Sequence, residues 1–404
     1  MRIALATVGT TGDAVPFVAL ARGLTAAGHE VTAVSWELHR PAFDDAAASF
    51  AEAGPVTTRQ QIAETASRAA TAGSPLAQVA VLRDFHLRDA AAHYRRLRDV
   101  LPGHDLVVLH GIHTLAEAAV RDEGLAWASA VFDPVLLPTA TAPPAGMPGL
   151  GPLNRLEWWL LDRMLRGQDK PLHAALREAG SAAAGQLTMF RARSPRLHLV
   201  ACSPAIAPPP SDLAATIHFT GAWFDPTPPT PLPPPLGDFL AAGSPPVVVS
   251  FGSMAAPDPP ALLTAVIAGV RDAGRRVLVQ GTSVGLDGDD VMTIGPVDHR
   301  ALFPRAAVVI HHGGAGTTHA AVAAGVPSVV VPHVGDQPFW ARQLHRLGVA
   351  PGPLDVRGVT AETVRTRITE ALAEPMRTAA ERLGRVVADE DGVGAAVAHV
   401  SRTV

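Results

Sequence analysis

Short, wholly apolar runs alternate along this chain with stretches whose apolar residues recur every three or four positions. The run "RIALATV" (2 to 8) has strand length, and "FVALARGLTAAG" (17 to 28) puts Phe17, Leu20, Ala21 and Leu24 on one helical stripe that stops at Gly28. "VTAVSW" (31 to 36) reads as a second strand. Strand, helix and strand within about 35 residues make a βαβ unit, which demands a parallel sheet and a right-handed crossover. The rhythm repeats in "DLVVLH" before "TLAEAAVRDEG", and in "AWASAVF" before Asp133-Pro134. The first half therefore reads as a doubly wound α/β sheet.

From Ser203 to Pro246 the pattern breaks. "SPAIAPPP" and "DPTPPTPLPPPLGDFLAAGSPP" carry too many prolines for helix or central strand, so this stretch is expected to be a stiff linker. The rhythm then restarts with "PVVVSFGS", "ALLTAVIAGVRDAG", "RRVLVQG", "AAVVIHH", "GTTHAAVAAG" and "SVVVP", a second doubly wound domain. The expected division is 1 to 205, a linker over 206 to 245, a second domain over 246 to 378, and a helical C-terminal segment over 379 to 404 that can pack on either domain.

Length agrees, since 404 residues exceed one ordinary core and fit two domains. A net charge of -4 without runs of Lys or Arg gives no footprint for nucleic acid or an anionic membrane. Cys202 is the single cysteine and has no partner for an internal disulfide. No secretory pattern and no apolar span of about 20 residues stands out, so the expectation is a cytoplasmic protein without a membrane span.

The chemistry concentrates in "VVIHHGGAGTTHAAVAAGVP" (308 to 327). Its first residues form a buried strand, which leaves His311 and His312 at the carboxyl end, where open α/β sheets bind ligands. Gly313, Gly314 and Gly316 let backbone come close to a guest, and a helix starting near Thr317 turns its free N–H groups and positive end toward the same place. Phosphate suits such a site, with an imidazole to donate to a diphosphate oxygen. The plainer reading is a tight turn with two satisfied histidines.

At the next strand end, "HVGDQPFW" supplies Asp336 and Gln337, an acid and an amide fit to read the hydroxyls of a sugar. An Asx turn before Pro338 is the plainer alternative. "VSFGSM" adds a second small-residue turn with Ser250, Gly252 and Ser253, and Val297 offers backbone groups to a base edge.

In the first half, "GTTGDAVP" (9 to 16) lacks the three glycines of a dinucleotide fingerprint, and Glu37 after the second strand does not repair that. Its Asp13 reads either as a helix N-cap or as a base for a hydroxyl proton, and the helix dipole would lower its pKa and weaken it as a base. His110 and His113 sit at another strand end; they are acceptor-side candidates with Trp36, while Trp158, Trp159 and Phe85 add apolar lining. Asp287-Gly288-Asp289 and Asp389-Glu390-Asp391 spell D-x-D, but neither follows a buried strand, so no metal site is expected.

Taken in order, "GTTGDAVPFVALARGL", "TGAWF", "VVVSFGSM" and the stretch from Leu302 to Ala350 resemble the bacterial family 1 glycosyltransferases, in the branch of vancomycin-type and sterol glucosyltransferases. That resemblance implies the GT-B fold, two Rossmann-like domains facing across a cleft, acceptor on the first and nucleotide sugar on the second, with the C-terminal helix of 379 to 404 crossing back onto the first domain. It implies that His312, Gly314, Gly316, Thr317 and Ser253 hold the diphosphate, Asp336 and Gln337 the sugar, Val297 the base, and that Asp13 is the general base. It further implies an inverting single displacement from a UDP- or dTDP-sugar to a hydroxyl of a lipophilic natural product, with no cofactor besides that co-substrate. Thr11 stands where the branch usually has arginine. A nucleotide-sugar epimerase or hydrolase, and a non-catalytic helper, share the architecture; retention of Asp13, His312 and Asp336 speaks against the helper.

Overall fold

In a computed structural model of the chain the described residues are 1–72, 74–144, 149–252, 260–281 and 288–403. They form two compact units. One comprises Met1–Pro204, Pro208–Pro226 and the chain from Asp391 on; the other comprises Ala205–Ala207 and Thr227–Glu390.

The first unit is built on a seven-stranded sheet of β1 (Arg2–Ala6), β2 (Glu30–Ser35), β3 (Ser49–Glu52), β4 (Leu106–His110), β5 (Trp127–Val131), β6 (His198–Val200) and β7 (Ile217–Phe219), in the order β3-β2-β1-β4-β5-β6-β7. Every pairing is parallel. Its inner strands are mostly apolar and buried on both faces, and alternate residues serve opposite layers: Ile3 and Leu5 join the cluster around Phe17, Leu20 and Leu24, whereas Ala4 and Ala6 join the one around Tyr94 and Leu97. Strand order reverses between β1 and β4, the switch point at which such sheets open a crevice.

The second unit holds β8 (Val247–Ser250), β9 (Val277–Gln280), β10 (Val291–Ile294), β11 (Val308–His311) and β12 (Ser328–Val330), in the order β10-β9-β8-β11-β12 and again all parallel. Its switch point lies between β8 and β11. The two turns singled out in the sequence, after Ser250 and after His311, leave the sheet side by side there, with His311 in register with Ser250.

Several expectations need correcting. The first helix spans Thr11–Ala26 instead of starting at Phe17, and it runs through Pro16. Thr10 caps it and closes a capping box with Asp13, which fixes the first turn firmly enough to carry the hydrogen bond that proline removes. Residues 206 to 245 are not a free linker: Ile217–Phe219 is the edge strand of the first sheet, and Pro234–Ala241 is a helix of the second unit. The C-terminal segment is two helices, Glu374–Ala388 in the second unit and Gly392–Ser401 in the first. That last helix seats Val393, Ala396 and Val400 in the Phe17–Leu24 cluster, and Gly23 makes the close approach possible, since a Cβ there would lie 2.4 Å from Val393 Cγ1. Among the described residues no helix is long and apolar enough to cross a membrane.

Candidate active site

The second unit places a histidine in a cradle. β11 ends at His311, whose buried Nδ1 accepts the Gly313 N–H at 3.1 Å and so holds the turn, while its Nε2 finds no partner among the described residues. His312 differs. A Cβ on Gly252 would lie 2.8 Å from its Cε1, and one on Gly314 would lie 2.4 Å from its Nε2, so the ring fits only because both neighbours are glycine. Its Nδ1 finds no partner among the described residues. Burial pulls its pKa down to about 4; the charges of His333 and His299 add to this, and the Ser250 backbone opposes it. At neutral pH the imidazole is uncharged, and an anion beside it would draw the pKa back up.

The following helix spans Ala315–Ala323, two residues earlier than expected, because Gly314 is its N-cap. No side chain caps this end. Its first N–H groups face outward with the positive end of the dipole behind them, a ready seat for an anion. Gly316 is exposed with open space where a side chain would be, and Thr317 is buried in the first turn.

Gly313, at φ +89°, brings this turn against the next strand end: a Cβ there would lie 3.1 Å from the Gln337 carbonyl oxygen. The buried Gln337 side chain uses its Oε1 to accept the N–H groups of His333 (2.7 Å) and Val334 (3.1 Å). The amide nitrogen is what it has left for a hydroxyl, so toward a guest the side chain can donate but not accept. Asp336 takes the Trp340 indole N–H on Oδ2 at 2.7 Å and heads the helix Gln337–Arg346 without capping it through its side chain. The Val297 carbonyl already accepts from Gln280 Nε2 at 3.3 Å, and Gln280 Oε1 takes the Ser250 hydroxyl (2.8 Å) and bonds His299 Nε2 (2.7 Å). Ser253 and Asp287 lie outside the described residues. The other D-x-D segment is structural: Asp391 caps the last helix through the Gly394 N–H at 2.8 Å.

In the first unit Asp13 sits at the switch point. Its Oδ2 accepts the Thr10 N–H at 2.7 Å and the Thr10 hydroxyl at 2.9 Å, while Oδ1 takes no hydrogen bond from the described residues. Thr10, not Asp13, is the N-cap. The expected lowering of the Asp13 pKa is also reversed: burial raises it, outweighing the Thr10 hydrogen bonds and the nearby His39. Gly9, at φ +116°, leaves room for this carboxylate, since a Cβ there would lie 2.4 Å from Oδ2.

His110 and His113 are buried, and burial draws His110 down to about 3 and His113 well below its usual range. Both imidazoles are therefore weaker bases than a free histidine. Trp36 is a core residue packed with Val8 and Ile62, and Glu37 is spent on Arg40. Trp158 is buried, whereas Trp159 is exposed. Sequence reasoning passed over Asp133, which follows β5 with one carboxylate oxygen accepting the Val135 N–H at 2.8 Å. Burial, with the charge of Asp13 added, pushes its pKa up to about 6. The Asp-Pro step immediately after a buried strand was the available signal.

Two doubly wound parallel-sheet domains, each with its polar residues gathered at the switch point, define a GT-B glycosyltransferase. Comparison with known proteins agrees. Residues 279–391 match the family "Erythromycin biosynthesis protein CIII-like, C-terminal domain". The chain is 34% identical to the O-mycaminosyltylonolide 6-deoxyallosyltransferase of Streptomyces fradiae over 97% of its own length and 95% of that protein's. Among solved structures, it is similar to the kitacinnamycin glycotransferase (TM-score 0.74, 20% identity, 100% of this chain and 98% of that one) and to the glycosyltransferase VinC in complex with dTDP (TM-score 0.65, 20% identity, 100% and 99%). The chain belongs to the family 1 natural-product glycosyltransferases, and it is an enzyme of that kind.

Proposed function

We propose that the enzyme moves a sugar from a dTDP- or UDP-sugar to a hydroxyl of a lipophilic small molecule, with inversion, by a single displacement. The observation that carries this reading is the donor-side cradle: His312 held between Gly252 and Gly314, beside a helix N terminus that no side chain caps. Such a pairing stabilises negative charge as it grows on a departing diphosphate, and each preorganised donor of this type contributes roughly 2 to 4 kcal/mol. The name of the Streptomyces fradiae relative, which acts on a macrolide, and the dTDP bound by VinC support the substrate classes. Gln337 through its amide and Asp336 through its carboxylate read the sugar hydroxyls, and Gly316 and Thr317 complete the phosphate seat.

Asp13 takes the acceptor's proton on Oδ1. The acceptor oxygen bonds the anomeric carbon as that carbon's bond to the diphosphate breaks, so the sugar inverts and no covalent sugar–enzyme species forms. Protein, nucleotide sugar and acceptor suffice, without a metal. The test is incubation with dTDP- and UDP-sugars and a panel of macrolide and aromatic aglycones, with products read by mass spectrometry and by the anomeric proton coupling. Nucleotide release without any glycoside would leave a hydrolase, and a retained anomeric configuration would remove the single displacement.

A further inference from the structure

We propose that Asp133 is the positioning partner of Asp13, a second carboxylate at the acceptor edge whose negative charge keeps the base ready to take and hold the acceptor's proton. The inference rests on the reading of Asp13 as the base.

Both groups hang from the carboxyl edge of one sheet, after β1 and after β5, with only β4 between. They are built alike. Each is half-buried, and each has one oxygen tied down, Asp13 Oδ2 by Thr10 and Asp133 Oδ1 by the Val135 N–H. The other oxygen of each takes no hydrogen bond from the described residues. Ring packing fixes the two segments against each other. Phe17, one turn along the helix from Asp13, meets Phe132, the residue before Asp133, edge-on at 6.0 Å. The His110 ring lies against both, 5.7 Å from Phe17 and 4.7 Å from Phe132.

The titratable groups that act on the pair are few. His39 faces Asp13, and His110 packs between the two phenylalanines; burial leaves both imidazoles uncharged near neutrality, at about 4 and about 3. No cation therefore offsets the repulsion between them: burial raises Asp13, and burial with the charge of Asp13 added raises Asp133 to about 6, a coupling that acts equally in the reverse direction. A base raised in this way is stronger at the moment of transfer. In the step itself the acceptor O–H bond breaks, its proton bonds Asp13 Oδ1, the acceptor oxygen bonds the anomeric carbon and the diphosphate departs. Asp133 forms and breaks no bond; its charge holds the proton on Asp13.

Asp133→Asn tests this, because asparagine keeps the volume and an oxygen for the Val135 N–H. With dTDP-glucose and a macrolide aglycone, the acid limb of kcat/KM is expected about one pH unit lower than in the wild type, with a plateau several-fold slower. Asp133→Glu, which restores the charge, should return the limb, and Asp13→Asn/Asp133→Asn should be no slower than Asp13→Asn alone. Carboxyl ¹³C NMR supplies a readout that needs no turnover: the Asp13 resonance should titrate lower in Asp133→Asn than in the wild type. An unmoved limb, an unmoved Asp13 titration, or a double variant slower by the full factor of each single one overturns the proposal. If no acceptor is glycosylated yet the Asp13 titration moves, the transferase reading falls and the coupled pair stands. If transfer proceeds and the titration does not move, the pair falls alone.

Discussion

Thr10 and Asp13 close on each other at the start of the first helix: the Thr10 N–H and hydroxyl both donate to one Asp13 oxygen, at 2.7 and 2.9 Å, and leave the second oxygen open. The contact puts the structural task of the carboxylate on one atom and leaves the other for the chemical task proposed for it.

Asp13→Asn is accordingly expected to fold with little change in melting temperature, since an amide oxygen still accepts from Thr10, and to lose transfer by about 10²- to 10⁴-fold. Steady-state kinetics beside a thermal melt checks it. A rate near wild type in a folded variant would reduce Asp13 to its capping box.

On the donor side, His312→Ala should cost about 10²- to 10³-fold in kcat while the fold survives, the usual loss for one preorganised donor. Gly314→Ala gives a sharper comparison. The backbone there, φ -64° and ψ 146°, accepts alanine without strain, so the only injury is the new Cβ pressing on the His312 ring. We expect its turnover defect to approach that of His312→Ala, with nucleotide binding measured by calorimetry weakened in both. Gly316→Ala meets open space and should leave the melting temperature where it is.

Activity should persist in excess EDTA, because the helix N terminus and His312 supply the positive potential that a metal would otherwise bring. Among the described residues no group of three His, Cys, Asp or Glu side chains is placed to hold an ion. Loss of turnover that Mg²⁺ or Mn²⁺ restores would refute this.

Stability should fall as pH drops from about 6.5 toward 4. In the folded chain burial holds His39, His312 and His319 to about 4, and His110 and His311 to about 3. Unfolded, these imidazoles titrate near 6.5, so between the two values the unfolded chain binds more protons and acid favours it; above 6.5 the contribution is fully present and flat. Asp133, raised to about 6, Glu117, raised to about 7, and Asp13 and Asp169, also raised, work in the opposite sense, but among the described residues nine histidines held at about 3 to 4 stand against these four carboxyls. A melting temperature that stays level from pH 7 to pH 4.5 would contradict this balance.

Much of the fold could be read from the chain because parallel strands buried on both faces are continuous apolar runs. β1, β4, β8 and β11 announce themselves that way, and the Phe17, Leu20, Ala21, Leu24 stripe is buried as its spacing required. The short edge strands β3, β7 and β10 carry too little apolar sequence to register, and β7 is further masked by the prolines around it. In the site, the glycines near His312 were legible as permissive backbone. What could not be read is that they wall in one particular ring, since that depends on how two turns from different strands meet. The basicity of Asp13 escaped for the same reason: a helix dipole is a local property, whereas burial is not. Asp133 stands in an Asp-Pro step that the chain shows plainly, but its pairing with Asp13 could not be read there, because the two lie 120 positions apart.

The last helix has a consequence for how the protein is made. Val393, Ala396 and Val400 belong to the same cluster as Phe17 and Leu24, and Gly392 fits so closely against Ala222 that a side chain there would strike its carbonyl oxygen. The hydrophobic interior begun by β1 and the Thr11–Ala26 helix is thus completed only by the Gly392–Ser401 helix. Until that helix is made the Thr11–Ala26 helix waits with a face uncovered, so the amino-terminal half cut out by itself is an incomplete body that should aggregate, and a truncation that removes Gly392–Ser401 would damage the first unit and not the second, which is nearer to it in sequence.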